Sequence, residues 1–107
     1  MFGRQVTMQL KADSSGELTH LNDSVIIPLM RKQKGFVDQT TLIAPERLEA
    51  VTSSFWATKE DAEAYSLTTY SDVLQKLATV LDGTPIVKFF EIANLTIHQQ
   101  RAVSRIA

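Results

Sequence analysis

The chain contains no cysteine, only four glycines and three prolines, and no hydrophobic run close to the ~20 residues that a membrane-spanning helix needs. The absence of cysteine excludes a disulfide framework, a thiolate nucleophile and a zinc site built on thiolates. Charge of either sign is not in excess, because 11 basic and 12 acidic side chains give a formal net charge of −1. This balance provides no electrostatic attraction to nucleic acid or to an anionic membrane. Residues 1–4 lead into no signal-peptide core, so we expect a small soluble cytoplasmic protein.

The composition that remains is that of one globular domain. A chain of 107 residues with 44% hydrophobic side chains is long enough to bury a single core, and its length supports one domain and not two. The sequence contains no internal repeat, linker or low-complexity segment. We therefore predict one domain over residues 1–107, with its core over about residues 5–97 and a C-terminal tail or arm over residues 98–107.

The first half of the sequence predicts a strand followed by a helix. Apolar and polar residues alternate over residues 6–10, which is the period of a half-buried strand. Leucine and valine then recur every three or four positions over residues 18–29, as in a helix with one buried face. Ser14 and Glu17 have the spacing of a capping box at the start of this helix. Pro28 predicts a bend or a second short helix, because proline removes a backbone donor and clashes with the preceding turn.

The second half predicts a hairpin, a helix and a final strand. Residues 36–44 and 48–57 are rich in β-branched and aromatic side chains and flank a short turn, so we expect two paired strands. Thr58 is the predicted N-cap of a helix whose first turn is acidic, as the helix dipole favours. The helical pattern breaks near two consecutive threonines and is predicted to restart at a cap on Ser71. Residues 86–97 are predicted as the last and longest strand.

This order of elements predicts a ferredoxin-like α+β sandwich, a βαββαβ fold with a four-stranded antiparallel sheet and both helices on one face. Large apolar side chains occupy both even and odd positions of the last predicted strand, so both faces of the sheet are expected to avoid water. Helices are available for only one of these faces. We therefore predict a homodimer in which the uncovered sheet faces pack against each other.

Two segments resemble signatures of a known family. Residues 28–36 (PLMRKQKGF) resemble its junction between the first helix and the second strand, where Pro and Leu precede a Gly-Phe pair. Residues 55–65 (FWATKEDAEAY) resemble its strand-to-helix junction, with Trp, Ser or Thr, acidic residues and an aromatic residue. Over residues 6–97 the sequence is similar to the antibiotic biosynthesis monooxygenase-like family of the dimeric α+β barrel superfamily. The resemblance implies a dimer of ferredoxin-like protomers, each with a ligand cavity between its sheet and its helices.

The resemblance does not imply a single chemistry. Some members oxygenate electron-rich aromatic substrates such as anthrones or quinols with dioxygen and no cofactor, others degrade haem, and others have no known reaction. Haem-degrading members carry an asparagine on the first strand, a tryptophan in the second helix and an axial histidine one or two turns later. This sequence has no asparagine in its first strand, has Tyr65 near the tryptophan position, and reads VLQK at residues 73–76, where the histidine is expected. Haem degradation is therefore disfavoured, and we expect no cofactor.

Trp56 and Tyr65 are the candidate catalytic residues. Cofactor-free oxygenation requires a pocket that withdraws a proton from an electron-rich substrate and stabilises the anion while dioxygen accepts an electron. The indole N–H of Trp56 is a candidate donor to a substrate oxygen, and Tyr65 is a candidate proton donor or carbonyl ligand. The alternative for Trp56 is a structural ring between the sheet and the second helix, a position that large aromatic side chains often fill. For Tyr70 we expect a buried ring with its hydroxyl at the surface.

Phe36, Phe90 and His20 complete the predicted ligand-binding set. A histidine suits a general base near neutral pH. His20 is offset from the apolar stripe of the first helix, however, so helical geometry turns it toward solvent and favours an ordinary surface histidine. The other histidine, His98, is remote in sequence, so no metal site is predicted.

Uncharged polar side chains on the first two strands are a further candidate for a cavity wall: Gln5, Thr7, Gln9, Gln39 and Thr41. A wet part of the dimer interface and simple solvent exposure are the alternatives, and the sequence does not rank them.

Two functions therefore remain open. The first is a cofactor-independent monooxygenase that acts on a small aromatic or quinone-type metabolite. The second is a non-catalytic dimeric barrel that binds a small hydrophobic ligand in a regulatory role. The fold does not separate them, because one fold supports many functions.

Overall fold

The computed structural model describes residues 1–96, so the predicted tail over residues 98–107 lies outside the described residues. Within residues 1–96, an antiparallel sheet contains β1 (Phe2–Gln9), β2 (Phe36–Ile43), β3 (Glu49–Trp56) and β4 (Ile86–Glu91), in the order β2-β3-β1-β4. The helices are α1 (Ser15–Leu21), α2 (Ile27–Arg31), α3 (Lys59–Thr68) and α4 (Tyr70–Leu77), with a π-helical turn over Asn22–Ile26. The predicted ferredoxin-like α+β fold is confirmed.

The core lies between one face of the sheet and the helices. The central strands β1 and β3 contribute alternate buried side chains, which include Phe2, Val6, Met8, Ala50 and Trp56. The helices contribute the opposite wall, which includes Leu18, Ile26, Met30, Ala62, Val73 and Leu77. None of the helices within the described residues is long and apolar enough to cross a membrane.

The first helix is divided in front of Pro28, as the sequence predicts. The π-helical turn inserts a wider turn of backbone between α1 and α2, and Pro28 follows it in the first turn of α2, so the regular hydrogen-bond ladder is interrupted next to the residue that lacks an N–H. The predicted capping box does not form. Ser14 has helical backbone angles (φ −100°, ψ −1°) and its side chain makes no capping hydrogen bond, because a capping side chain needs an extended backbone to reach the first turn.

The helical region after β3 begins and breaks where the sequence predicts. Thr58 has an extended backbone (φ −136°, ψ 160°), and its hydroxyl accepts a 3.1 Å hydrogen bond from the N–H of Asp61. The restart is capped by Thr69 and not by the predicted Ser71. The carbonyl of Thr69 accepts hydrogen bonds from the backbone N–H groups of Asp72 (3.0 Å) and Val73 (3.3 Å), so the backbone closes the first turn of α4 without a side-chain cap.

The last strand is shorter than the predicted span of residues 86–97. Among the described strands, β4 pairs with β1 alone and runs antiparallel to it, so the end of β4 lies opposite Phe2. The final contact is a 3.2 Å hydrogen bond from the N–H of Ile92 to the carbonyl of Met1. The apolar pattern continues beyond this point, whereas the pairing with β1 ends here.

The uncharged polar side chains of β1 and β2 lie on opposite faces of the sheet and form no common wall. Gln39 and Thr41 face the helices, whereas the polar residues of β1 project from the uncovered face. The cause is a β-bulge between Phe36 and Asp38. One inserted residue moves every later side chain of β2 to the other face.

The face of the sheet opposite the helices carries apolar side chains. Leu42, Ile86 and Phe90 on this face are 65%, 60% and 48% exposed. The sheet-to-sheet homodimer would cover these residues, and it stays a prediction.

Candidate active site

A small cavity lies between the sheet and the helices. The volume of the cavity is about 40 Å³, which holds a few water molecules. Its apolar walls include Val6, Met8, Ile26, Met30, Val73 and Leu77. Its polar residues include Arg4, Asn22, Gln39, Ser54, Tyr65 and Tyr70. A ligand larger than water requires the walls to move apart.

Arg4 is the charged residue of the cavity. It lies on the helix-facing side of β1, where Phe2, Val6 and Met8 also point, and only 3% of its surface is exposed. Its Nε donates a 2.9 Å hydrogen bond to the hydroxyl of Ser66 on α3. Arg4 was not among the predicted site residues. It alternates in step with the apolar side chains of β1, however, and this pattern indicates a buried position.

Aromatic rings surround the guanidinium of Arg4. Its central carbon lies 3.9 Å from the ring centre of Tyr70, 5.1 Å from that of Tyr65 and 6.0 Å from that of Phe89. Cation–π contacts of this kind offset part of the cost of removing the cation from water. Burial lowers the pKa of Arg4, while the nearby phenol groups oppose that shift, and arginine remains a cation.

The two tyrosines of the cavity are both held in their neutral form. Burial raises the pKa of Tyr65 to about 12, against the opposing effect of the Arg4 charge. Burial likewise raises the pKa of Tyr70. The hydroxyl of Tyr70 is buried beside the Arg4 guanidinium and has no acceptor for its proton among the described residues, contrary to the surface position expected from the sequence. Near neutral pH, both side chains are therefore hydrogen-bond donors and not bases.

Trp56 lies outside the cavity lining. It is fully buried, and its indole N–H donates a 2.9 Å hydrogen bond to the hydroxyl of Ser54. Its ring packs 5.1 Å from Tyr65 and 5.7 Å from Phe36, centre to centre. With its donor already used, Trp56 supports the cavity through Tyr65 and Ser54, as the structural alternative predicts.

The predicted ligand contacts do not converge. Phe36 is half-buried against Trp56 and does not line the cavity. Phe90 lies on the opposite face of the sheet, because it follows Phe89 by one position and side chains alternate along a strand. His20 is exposed on α1 and also lies away from the cavity. Of the five predicted site residues, only Tyr65 lines it.

A second polar group spans the far side of the cavity. The side-chain amide of Gln39 donates to Asn22 (3.2 Å), and that of Asn22 donates to Thr41 (3.3 Å). The Thr41 hydroxyl lies 3.4 Å from that of Thr52 on the neighbouring strand. These contacts join the π-helical turn to β2 and leave the amides already paired with each other.

Tyr65 forms the wall between the cavity and the outside. It lines the inner cavity and also borders an open groove between α3 and the turn that precedes β2. Gln33, Lys34 and Thr68 line the same groove. Tyr65 is therefore shared by the cavity and this groove.

The described residues hold no group of three or more His, Asp or Glu side chains that could bind a metal ion.

Comparison with solved structures identifies the fold. The ActVA-Orf6 monooxygenase of Streptomyces coelicolor, solved with the ligand nanaomycin D, matches with a TM-score of 0.74 and 17% identity over 88% of each chain. The cofactor-independent oxygenase SnoaB of Streptomyces nogalater matches with a TM-score of 0.71 and 12% identity, over 88% of this chain and 94% of that chain. A protein of unknown function from Nitrosomonas europaea matches with a TM-score of 0.73 and 17% identity, over 88% of this chain and 90% of that chain.

No family model and no curated protein matches the sequence. At these identities the structural likeness establishes the fold. The chain has an antibiotic biosynthesis monooxygenase-like fold, as the sequence resemblance predicts.

Proposed function

We propose that this chain is a cofactor-independent oxygenase of small aromatic compounds of the anthrone or hydroquinone type. The observation that carries the proposal is the polarity of the cavity, whose apolar body ends at hydrogen-bond donors from Arg4, Tyr65 and Tyr70. Apolar walls suit a flat aromatic body, and convergent donors suit one of its oxygens. The fold shared with two proteins described as oxygenases supports the same chemistry.

Such a reaction draws every electron from its substrate. The methylene carbon of an anthrone loses two hydrogens and gains one oxygen atom, so that it becomes a carbonyl. Dioxygen accepts the electrons released; one of its atoms enters the product and the other leaves as water. The first step is loss of a proton, because the substrate anion donates an electron to dioxygen much more readily than the neutral molecule does.

The chain's own residues stabilise that anion. Among the described residues, the cavity lining contains no Asp, Glu, His or Lys, and Tyr65 remains protonated near neutral pH, so no described lining side chain serves as a conventional base. The positive charge of Arg4 and the hydroxyl of Tyr70 instead favour negative charge on the substrate oxygen. The apolar walls exclude water and so strengthen this electrostatic effect.

We propose further that the protein acts as a homodimer through the uncovered sheet face. The exposed apolar side chains of Leu42, Ile86 and Phe90 support this interface. Native mass spectrometry should detect a dimer, and Phe90→Lys should shift it toward monomer, whereas Leu67→Lys on the exposed surface of α3 should not. A monomer of the unaltered protein at micromolar concentration contradicts the proposed interface.

The second candidate is a non-catalytic barrel that binds a small hydrophobic ligand. One observation favours it: the described cavity lining contains no conventional base. A binding protein needs neither a base nor access for dioxygen.

Dioxygen uptake tests the proposed reaction. A panel of anthrones and hydroquinones is supplied to the unaltered protein, to Arg4→Met, to Tyr70→Phe, and to Arg31→Met as a control at the exposed end of α2. We expect uptake that falls at least about tenfold in Arg4→Met and less in Tyr70→Phe, with Arg31→Met unchanged. Uptake that both cavity variants leave intact contradicts the site, and no uptake from a bound panel member favours the binding protein.

A further inference from the structure

Arg4 is a buried cation without a carboxylate partner. Only 3% of its surface is exposed, and no acidic side chain of the described residues forms an ion pair with it or contributes to its electrostatic surroundings. Removal of an ion from water costs several kcal/mol unless a counter-ion and hydrogen bonds repay it. The hydroxyl of Ser66 provides one such hydrogen bond, 2.9 Å from Nε. Within the described structure, the negative charge that would complete this site is missing.

The hydroxyl of Tyr70 provides an independent indication at the same place. Its oxygen is buried in a residue that lines the cavity, and its O–H has no acceptor among the described residues, because the neighbouring guanidinium of Arg4 can only donate. An unsatisfied buried donor costs about 1–3 kcal/mol. The guanidinium lies 3.9 Å from the centre of the same ring, so cation and donor occupy one end of one cavity. Both groups require an acceptor, and one oxygen anion satisfies both.

We propose that the Arg4–Tyr70 end of the cavity binds hydroxyarenes in their ionised form, as aryl oxyanions. The inference rests on the proposed function and names its substrate class: phenols and enolisable aromatic ketones acidic enough to ionise near neutral pH. Selective binding of the oxyanion takes the place of a general base, because the proton is released to solvent when the ligand binds.

The residues around Arg4 and Tyr70 favour a ligand with one negative charge and a flat apolar ring. Arg4 is the only cation of the described lining, so a dianion such as a phosphate monoester would keep an uncompensated charge. The walls next to this end are formed by Val6, Val73 and other apolar side chains, which suit an aromatic ring. The Nε of Arg4 already donates to Ser66, so a ligand oxygen is left with the Nη groups of the guanidinium.

4-Nitrophenol tests the proposal directly, because its phenolate absorbs visible light and its neutral form does not. The probe is titrated with pH, free and in the presence of saturating full-length protein. We expect the apparent pKa of the bound probe to lie at least about one unit below that of the free probe, which means at least about tenfold tighter binding of the phenolate. 4-Nitroanisole, its methyl ether, has the same body without the acidic proton and should bind about as weakly as neutral nitrophenol.

Variants separate this role from a structural one. Arg4→Lys keeps the charge but loses the stacked plane and the Nε donor, so it should keep part of the shift, whereas Arg4→Met should abolish it. Tyr70→Phe should reduce the shift and leave nitroanisole binding unchanged. Arg31→Met, at the exposed end of α2, should behave like the unaltered protein. If Arg4→Met does not fold, as circular dichroism would reveal, Arg4→Lys and Tyr70→Phe still decide the outcome.

Three results overturn the proposal: equal binding of phenol and phenolate, a shift that persists in a folded Arg4→Met, or no binding of 4-nitrophenol. A carboxylate preference, measured as tighter binding of benzoate than of 4-nitrophenolate, also overturns the assignment to aryl oxyanions. The outcome is independent of turnover. If the pKa of the bound probe shifts but no dioxygen is taken up, the oxyanion site stands and the protein is a binding protein. If dioxygen is taken up but the pKa of the probe does not shift, the oxygenase proposal stands and the oxyanion site is wrong.

Discussion

The guanidinium carbon of Arg4 lies 3.9 Å from the centre of the Tyr70 ring, although one residue belongs to the first strand and the other begins the last described helix. The contact buries a cation against an aromatic face and leaves the O–H of Tyr70 without an acceptor among the described residues. Arg4 donates to Ser66 but has no carboxylate partner among the described residues. The polar end of the cavity is therefore stable enough to form and still open to a ligand oxygen.

The hydrogen bond from Arg4 to Ser66 should contribute to stability only while Arg4 is present. Ser66→Ala removes the acceptor of a buried charged donor and should lower the free energy of unfolding by about 1–2 kcal/mol. In an Arg4→Met background the same change should cost close to nothing. Urea denaturation of the unaltered protein, the two single variants and the double variant gives the coupling free energy between Arg4 and Ser66. If Ser66→Ala lowers the free energy of unfolding equally in both backgrounds, the hydrogen bond contributes nothing to stability.

Tyr70→Phe should leave the protein as stable as before or more stable by about 1 kcal/mol. The change deletes a buried hydroxyl that lacks a partner among the described residues and keeps the ring on which Arg4 packs. Urea denaturation is the measurement. A loss of more than about 1 kcal/mol would reveal a partner for this hydroxyl.

Stability should fall in alkaline solution because of Tyr65. Its pKa is raised to about 12 in the folded protein, against an ordinary value of 10.0, so the unfolded chain loses this proton first as the pH rises. The folded state then binds more protons than the unfolded state, and the free energy of unfolding decreases between these two pKa values by up to roughly 2–3 kcal/mol. Urea denaturation from pH 8 upward should show a shallower decline for Tyr65→Phe, and parallel curves would contradict this assignment.

Gly35→Ala should destabilise the fold by at least about 1–2 kcal/mol. Gly35 has φ +79°, where a side chain is strained, and a Cβ there would collide with the carboxylate of Asp61. Gly16→Ala is the matched control, because a Cβ at Gly16 meets nothing within 4 Å and Gly16 lies in α1. The control should stabilise by about 0.5–1 kcal/mol. Thermal denaturation of both variants is the measurement. Melting temperatures that shift in the same direction for both variants would contradict this explanation of Gly35.

Trp56→Phe should lower stability by about 2 kcal/mol without removing the preference for 4-nitrophenolate. The change breaks the 2.9 Å hydrogen bond to Ser54 and leaves space beside Tyr65, but it alters no residue of the cavity lining. Urea denaturation and the nitrophenol titration measure the two effects separately. If a folded Trp56→Phe variant no longer prefers 4-nitrophenolate over neutral 4-nitrophenol, Trp56 contributes to ligand binding after all.

Local signals account for the parts of the fold that the sequence predicts correctly. Thr58 caps α3 and Pro28 begins a second short helix because both effects depend on a few neighbouring residues. The end of β4 depends instead on its pairing with β1, a strand that is distant in sequence. The face of Gln39 depends on a bulge that no local pattern indicates.

The candidate site was only partly predictable. Tyr65 follows from the motif that contains it and does line the cavity, whereas Trp56, in the same motif, has its donor occupied by Ser54. Arg4 was predictable as a site residue. It lies two positions from apolar residues that are buried on the same face of β1, and a buried charge is uncommon. The contact of Arg4 with Tyr70 was not accessible, since it joins residues from two distant elements.

The sequence by itself determined the order of strands and helices, and hence a ferredoxin-like sheet with helices on one face, because periodicity of side chains decides which surface each element buries. Only the tertiary structure decided the chemistry of the cavity. Charge, hydroxyl groups and apolar walls act together there because packing brings distant side chains within a few ångströms in a medium that excludes water. Without that packing, Arg4 and Tyr70 are an ordinary cation and an ordinary phenol in solvent.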